Sequence, residues 1–542
     1  MHISICQINP IVGDLKGNTK KIIDYIKEAK KKKADIIVFQ EMAISGYPAA
    51  DLLLFSSYIN EMERCLQKIV DQTKNVLVII GVVRKNEGEG KPLFNSSAVI
   101  NNGKIIGYKD KTLLPNYGVF NEVRYFEKGT EQKVWTYKNK KIGVLICEDV
   151  WNLHKDLSFY KTSPIKDLKK LNPDIIIHLA ASPYYFEKHN HRFDVYQNVA
   201  KFFSCPFVSC NQVGGNDQLV FDGKSLALDK KGDIIAMAKS FKEDLLCIDL
   251  GEKIYKKIIA KNDCFKDFYD ALVVGVRDYF NKLGLKKACL GISGGVDSAL
   301  TACIAKEALG EENILGINMP SRFSSISSIK DSYSLCKNLN IQLKDIPIDG
   351  IFQNYLNLLS PIFQSFKVDT TEENLQARIR GMILMAISNK LGYVVLSSGN
   401  KSEMAMGYST LYGDLCGGLS VIGDVSKTFV YKLVKYINKK KQVIPNSIIK
   451  KAPSAELREN QKDSDDLPDY EIVDTVLTEY IENACSANEI VKNKKLDKYI
   501  VKDLLNKIHK AEFKRRQSPI SICVTKKSFS KGCYLPIVQK WD

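Results

Sequence analysis

The 542-residue sequence is poor in histidine and tryptophan, with six and three residues. No histidines fall in an H-E-x-x-H pair, so that type of zinc site is excluded. Cysteine is present at 14 residues, but no two form C-x-x-C, and the nearest two are Cys205 and Cys210. Zinc knuckles and thioredoxin-type redox sites are therefore not expected. Scattered thiols in a chain this long fit a reducing cytosol better than a disulfide framework. Glycine and proline, at 33 and 16, are too few for a collagen-like or disordered chain. No apolar run approaches the ~20 residues of a membrane helix. The start, MHISICQINP, lacks a basic stretch followed by a long apolar run, so no signal peptide is expected and a cytoplasmic location is. Neither G-x-G-x-x-G nor G-x-x-x-x-G-K-[ST] occurs, which excludes the Rossmann fingerprint and the Walker loop.

Positive charge is abundant. Lysine and arginine number 79 against 62 acidic residues, a net +17. Such an excess points to an anionic partner: nucleic acid, a membrane surface or a phosphorylated small molecule. The length predicts two to four domains at roughly 150 residues each.

Short β-rich runs alternate with helical patterns through the first half. Residues 34–40, 76–83, 97–100, 141–146 and 175–179 read as buried strands, and 245–250 as the last strand of this unit. The basic stretch 253–261 is the best linker, which predicts domains over 1–252 and 263–542 with a linker at 253–262. A helix is expected from about Asp263, with Gly284 as its stop. The second half gives strands at 288–292, 314–318 and 393–397, with a helix running to Gly310. Alternating strands and helices imply a largely parallel sheet with helices outside it. Residues 321–328 and 458–466 read as loops.

Ser293-Gly294-Gly295-Val296-Asp297-Ser298 lies between a strand and a helix. Two glycines let the backbone approach an anion, the helix N–H groups point at it, and the serine hydroxyls add hydrogen bonds. The hexapeptide resembles the pyrophosphate loop of ATP pyrophosphatases, which cleave ATP to AMP and pyrophosphate. Magnesium in such a site takes a few carboxylates plus phosphate oxygens. Asp297 in the loop and Glu403 past a strand end are the candidates.

In the first half, Glu41, Lys111 and Cys147 each follow a strand. An ammonium favours the thiolate and a carboxylate carries the proton. No histidine accompanies these motifs, which argues against a Cys–His protease. The combination resembles the nitrilase superfamily and its Glu–Lys–Cys triad. Leu114 to Phe126, Cys147-Glu148-Asp149 and Ser182-Pro183-Tyr184 strengthen the match.

A nitrilase-like half followed by a pyrophosphatase-type half is similar to the glutamine-dependent NAD synthetase family over nearly the whole chain. Further matching segments are 211–215, 221–225, 319–325, 373–378, 399–403, 453–457 and 514–517. The resemblance implies an N-terminal αββα sandwich and a C-terminal doubly wound, Rossmann-like parallel sheet of the adenine nucleotide alpha hydrolase type. It implies that ATP adenylates nicotinic acid adenine dinucleotide and that ammonia from glutamine displaces AMP. Cys147 would be the nucleophile, Glu41 the base and acid, Lys111 the oxyanion stabiliser and Glu122 a further acidic residue. Tyr117, Glu148 and Ser182 would hold glutamine. The 293–298 loop would hold ATP, and Arg378, Lys401, Asp424 and Lys427 the dinucleotide. Magnesium, an internal ammonia tunnel, small-molecule partners and a homo-oligomer are implied likewise, with no nucleic acid or membrane partner. Two other readings are a tRNA-modifying pyrophosphatase, which leaves the amidase-like half unexplained, and a nucleotide-binding scaffold without turnover, which leaves the intact Cys147 and loop unexplained.

Overall fold

A computed structural model of the chain describes residues 1–153, 160–251, 258, 263–364, 366–439 and 441–541. Except for Ile258, the expected linker 253–261 lies outside the described residues. The chain divides into two compact units, Met1–Asp267 and Phe268–Asp542.

The first unit stacks two six-stranded sheets. In chain order, the first holds β1 (His2–Gln7), β2 (Ile36–Phe39), β3 (Leu77–Lys85), β4 (Leu93–Asn101) and β5 (Lys104–Asp110). The second holds β6 (Val134–Tyr137), β7 (Lys140–Ile146), β8 (Ile175–Ala180) and β9 (Phe207–Asn211). A hairpin, β10 (Val213–Asn216) with β11 (Leu219–Asp222), stands apart. Next, β12 (Leu226–Leu228) and β13 (Ile234–Met237) complete the second sheet, and β14 (Asp244–Asp249) returns to the first. The sheet orders are β14-β1-β2-β3-β4-β5 and β13-β12-β9-β8-β7-β6.

Only the centre of each sheet is parallel: β1, β2 and β3 in one, β7, β8 and β9 in the other. The outer pairs are antiparallel. The cause is local. Asn102 and Gly103, with φ of 51° and 76°, join β4 to β5, and Lys138 and Asn139, at 46° and 57°, join β6 to β7. Two successive positive φ values suit a tight hairpin, and a hairpin fixes antiparallel neighbours.

Side-chain alternation explains the stacking. Ile142 and Val144 of β7 meet Ile36, Val38, Leu77 and Ile79 from the other sheet, while Leu145 faces outward onto Val195, Tyr196 and Val199. Those three belong to the helix Lys188–Phe203. Burying each such side chain contributes about 1.5–3 kcal/mol. The helices Leu15–Lys31 and Ser56–Val70 bury one face each, including Ile22, Ile26, Ile59 and Ile69.

The second unit is built on one parallel sheet, β17-β16-β15-β18-β19. Its strands are β15 (Ala288–Gly291), β16 (Ile314–Asn318), β17 (Gln342–Asp345), β18 (Val394–Ser397) and β19 (Leu419–Ser420). Cys289, Leu315, Ile317 and Val395 pack against Phe352, Ile379 and Leu384 from two following helices, Asp349–Phe363 and Thr370–Leu391. A helical cluster over residues 467–508, centred on Val473, Leu477, Val501 and Leu504, packs on Ala405 and Met406. Among the described residues no helix is long and apolar enough to cross a membrane.

Candidate active sites

In the first unit, three strand ends converge. Glu41 follows β2, Lys111 follows β5, and Cys147 follows β7. Lys111 Nζ donates to Glu41 Oε1 and to Glu122 Oε1, each at 2.7 Å. All three side chains are at most 4% exposed. Asn95 Nδ2 donates to Glu41 Oε1 at 2.7 Å, the Ala181 N–H donates to Glu41 Oε2 at 3.0 Å, and Tyr47 Oη donates to Glu122 Oε1 at 3.0 Å. Glu41 can sit there because Gly81 of β3 has no side chain: a Cβ would lie 2.5 Å from the Glu41 Cα. Cys147 is buried with φ of 41°. A non-glycine residue pays about 1–3 kcal/mol for such a backbone, and such strain clusters at functional sites.

The electrostatics are tightly coupled. Burial works against the Lys111 ammonium, but Glu122 and then Glu41 raise it well above an ordinary lysine. Burial pushes the Glu122 carboxyl up to about 7 against the downward pull of Lys111. Burial and then Glu41 raise the Cys147 thiol well above its ordinary value, and Lys111 only partly opposes them. A nearby ammonium favours the thiolate, but here three carboxylates and an apolar wall outweigh it. The balance at Cys147 favours the thiol over the thiolate.

Around the triad, Glu148 Oε1 accepts from Tyr117 Oη at 2.8 Å and from Tyr160 Oη at 3.1 Å. The Ser182 N–H donates to Asn211 Oδ1 at 2.9 Å. Two neighbours escape a reading by motif. Lys188, the first residue of its helix, is buried and donates to the Pro183 carbonyl at 2.7 Å; burial, then Arg192, lowers it to about 8. His178 of β8 places Nε2 3.2 Å from the Cys147 carbonyl oxygen and Nδ1 2.9 Å from Ser209 Oγ. Burial lowers it to about 3, so it is neutral, and it meets the cysteine's main chain rather than its sulfur.

In the second unit the 293–298 loop joins β15 to the helix Val296–Leu309. It lines a cavity of about 320 Å³ together with Glu403, Lys427 and Arg380. Gly294 has φ of 73°, and a Cβ there would lie 2.3 Å from the Ser328 carbonyl oxygen, so only glycine fits. Ser293 Oγ and Ser298 Oγ are 3.2 Å apart, and the Gly295 N–H donates to Ser293 Oγ at 3.2 Å. The first N–H groups of the helix that begins at Val296 have no intrahelical acceptors.

Lys427 Nζ bridges Asp297 Oδ2 and Glu403 Oε1, the latter at 3.0 Å, and Asn400 Nδ2 donates to Asp297 Oδ1 at 3.1 Å. Burial raises Glu403 to about 7, against Lys427 and helped by Asp297. Lys401 and Asp424 do not line the cavity. They form a buried pair at 3.2 Å, with Lys401 also on Glu482 at 2.9 Å and Asp424 accepting the Val524 and Thr525 N–H groups. Arg378 is exposed, donates to the Leu411 carbonyl at 3.2 Å and lies off the cavity lining. The lining arginine is Arg380, two residues along the same helix and so on another face; burial lowers it to about 10. No sequence motif distinguishes the two arginines.

The chain matches the carbon–nitrogen hydrolase family model over residues 2–256 and the NAD synthase family model over residues 268–518. It is 42% identical to the glutamine-dependent NAD(+) synthetase of Synechocystis sp., covering 99% of this chain and 98% of the relative. It is 39% identical to the Thermotoga maritima protein of the same name, covering 100% and 99%. Among solved structures it is similar to the Acinetobacter baumannii glutamine-dependent NAD+ synthetase in complex with ADP: TM-score 0.79, 38% identity, 100% of this chain and 99% of that one. With a buried Glu–Lys–Cys arrangement in one unit, a glycine-rich strand–helix loop in the other and relatives 42% and 39% identical over the full length, the chain belongs to the glutamine-dependent NAD(+) synthetase family.

Proposed function

We propose that the first unit hydrolyses glutamine and that the second spends ATP to amidate nicotinic acid adenine dinucleotide with the ammonia released. The observation that carries the reading is Lys111 Nζ at 2.7 Å from both Glu41 and Glu122, in a chain that also holds the phosphate-loop cavity.

As Cys147 Sγ attacks the amide carbon, Glu41 takes the thiol proton, and Lys111 stabilises the oxyanion. Glu41 returns the proton to the departing ammonia. Water, deprotonated by Glu41, then cleaves the thioester to glutamate. Tyr117, Glu148 and Ser182 orient the substrate, and the Lys188 ammonium beside Ser182-Pro183 suits its α-carboxylate. In the second unit, the pyridine carboxylate oxygen attacks the α-phosphorus of ATP and pyrophosphate leaves. Ammonia then forms the C–N bond and AMP leaves. The N–H groups and hydroxyls of 293–298 meet the phosphates, with Lys427 and Arg380 as cations. Arg378 reads best as a contact beyond the cavity. Lys401 and Asp424 read as the pair that fixes the Thr525 loop.

Asp297 and Glu403 suit magnesium. Both are hard oxygen donors beside the phosphate loop, and two carboxylates share a single ammonium, which leaves negative charge for another cation. Bound there, the ion supplies charge neutralisation on the phosphates. A cytoplasmic location is part of the proposal, supported by 14 unbridged cysteines. So is self-association. Ile351, Tyr355, Leu358 and Ile362 form an exposed stripe at helical spacing on Asp349–Phe363, and a contiguous apolar patch marks an interface.

The test is NAD formation from nicotinic acid adenine dinucleotide, ATP and magnesium, with glutamine or ammonium as nitrogen source. Cys147→Ala is expected to lose the glutamine-dependent reaction and keep the ammonium-dependent one. Loss of both contradicts the division of labour.

A further inference from the structure

The glutaminase chemistry leaves the buried pair Lys109–Asp149 without a role. The Lys109 and Asp149 side chains are both 0% exposed, with Nζ 3.6 Å from Oδ2. Such a pair is weak evidence for stability, because desolvation offsets the attraction. Its contacts point elsewhere. Asp149 Oδ1 accepts the N–H groups of Thr112 at 3.0 Å and Leu113 at 2.9 Å, and Oδ2 accepts the Ile146 N–H at 3.1 Å. One carboxylate thus grips the two residues that follow Lys111 and the residue that precedes Cys147. Lys109 Nζ donates to Thr112 Oγ1 at 2.9 Å and to the Asp110 carbonyl, closing the same loop from its other end. Gln132 Nε2 also reaches Thr112 Oγ1, at 3.0 Å.

The two loops leave different sheets, the first from β5 and the second from β7. No backbone ladder joins those strands, so something else must set the gap between ammonium and sulfur. We propose that Lys109 and Asp149 are a positioning clamp for the glutaminase: the carboxylate locks the Lys111 loop to the Cys147 turn, and the lysine ties that carboxylate to the other end of the same loop. The inference rests on the glutaminase reading above. The chemistry demands this residue pair. Three N–H donors need both carboxylate oxygens, and the amide of asparagine offers one oxygen and one NH₂, so an N–H would face a donor. Without the ammonium, a buried carboxylate is costly to keep ionised. The clamp also holds Cys147 in its left-handed backbone, a conformation that persists only where its surroundings impose it.

The experiment uses the full chain, with glutamine turnover normalised to the sites that a diazoketone analogue of glutamine labels at Cys147. Normalising removes molecules that are simply unfolded. Asp149→Asn is expected to lower kcat per labelled site by about thirtyfold or more, because a small misplacement of reacting groups is worth that much. The glutamine KM is expected to stay within about threefold, since the hydrogen-bond partners of the two side chains, Asp110, Thr112, Leu113 and Ile146, are not the residues that orient glutamine. Lys109→Met serves where Asp149→Asn labels no sites. It is expected to fall in kcat in the same direction, with Lys109→Arg restoring most of the loss. A kcat per labelled site within about twofold of the parent in either variant, or a loss confined to KM, overturns the clamp. Failure of the underlying reading looks different: Cys147→Ala would then retain glutamine-dependent synthesis.

Discussion

At the scale of single residues, the chemistry was legible where a group follows a strand and hidden where it arrives from a neighbouring strand or helix. Glu41, Lys111 and Cys147 are separated by tens of residues, yet each sits at a strand end; β5, two antiparallel steps from β3, runs the same way as β2, so the ends that carry Glu41 and Lys111 share one edge. His178 shows the opposite case. It lies 31 residues from Cys147 in sequence and one strand away in space, so no motif announced it. Lys188 was missed because an isolated lysine in a helix reads as a solvated face. Its environment yields a pH prediction. Burial brings its ammonium to about 8, so the charge that would hold the glutamine α-carboxylate is present below that pH and lost above it. The glutamine KM is expected to be flat below pH about 8 and to climb above it, while KM values in the second unit do not share that break. Lys188→Met is expected to raise the glutamine KM by roughly thirtyfold, the worth of a charge-assisted hydrogen bond of about 2 kcal/mol, and to abolish the break. Steady-state kinetics across pH check both.

At the scale of elements, the apolar runs at 34–40, 76–83, 141–146 and 175–179 match β2, β3, β7 and β8, and 97–100 and 245–250 match the antiparallel strands β4 and β14, whereas β1, β9 and the edge strands β5 and β6 fall outside those runs. The edge strands β5 and β6 are half-buried, and β17 is mostly exposed, so their patterns carry little hydrophobic signal. The Ser-rich stretch 321–328 is a loop only as far as Ser325, which caps the helix Ile326–Leu339 by accepting the Ser328 N–H. Two glycines, Gly81 within β3 and Gly294 between β15 and its following helix, make opposite predictions. At Gly81 a Cβ would strike the turn that carries Glu41, so Gly81→Ala is expected to depress glutamine-dependent synthesis and spare the ammonium-dependent reaction. At Gly294 a side chain meets both a left-handed φ and the Ser328 carbonyl, so Gly294→Ala is expected to depress both reactions, about tenfold or more, through the phosphate loop. Paired assays, with thermal melts to register folding, separate the two patterns.

At the scale of the whole molecule, the net charge of +17 was the least informative number for function. The groups that face the proposed anions are few, chiefly Lys427 and Arg380, while lysines such as Lys30 and Lys31 end a solvated helix. Self-association was not readable from composition; it rests on the apolar stripe of Asp349–Phe363. Leu358→Lys with Ile362→Lys is expected to reduce the mass measured by light scattering to that of one chain. An unchanged mass would remove the stripe as the interface. The protonated, buried state of Cys147 has a last consequence, for wear. Peroxide consumes thiolates, and the rate follows thiolate content and access. The buried Cys147 sulfur has little of either, whereas Cys247 is exposed on an outer strand. Oxidants are therefore expected to reach Cys247 before Cys147.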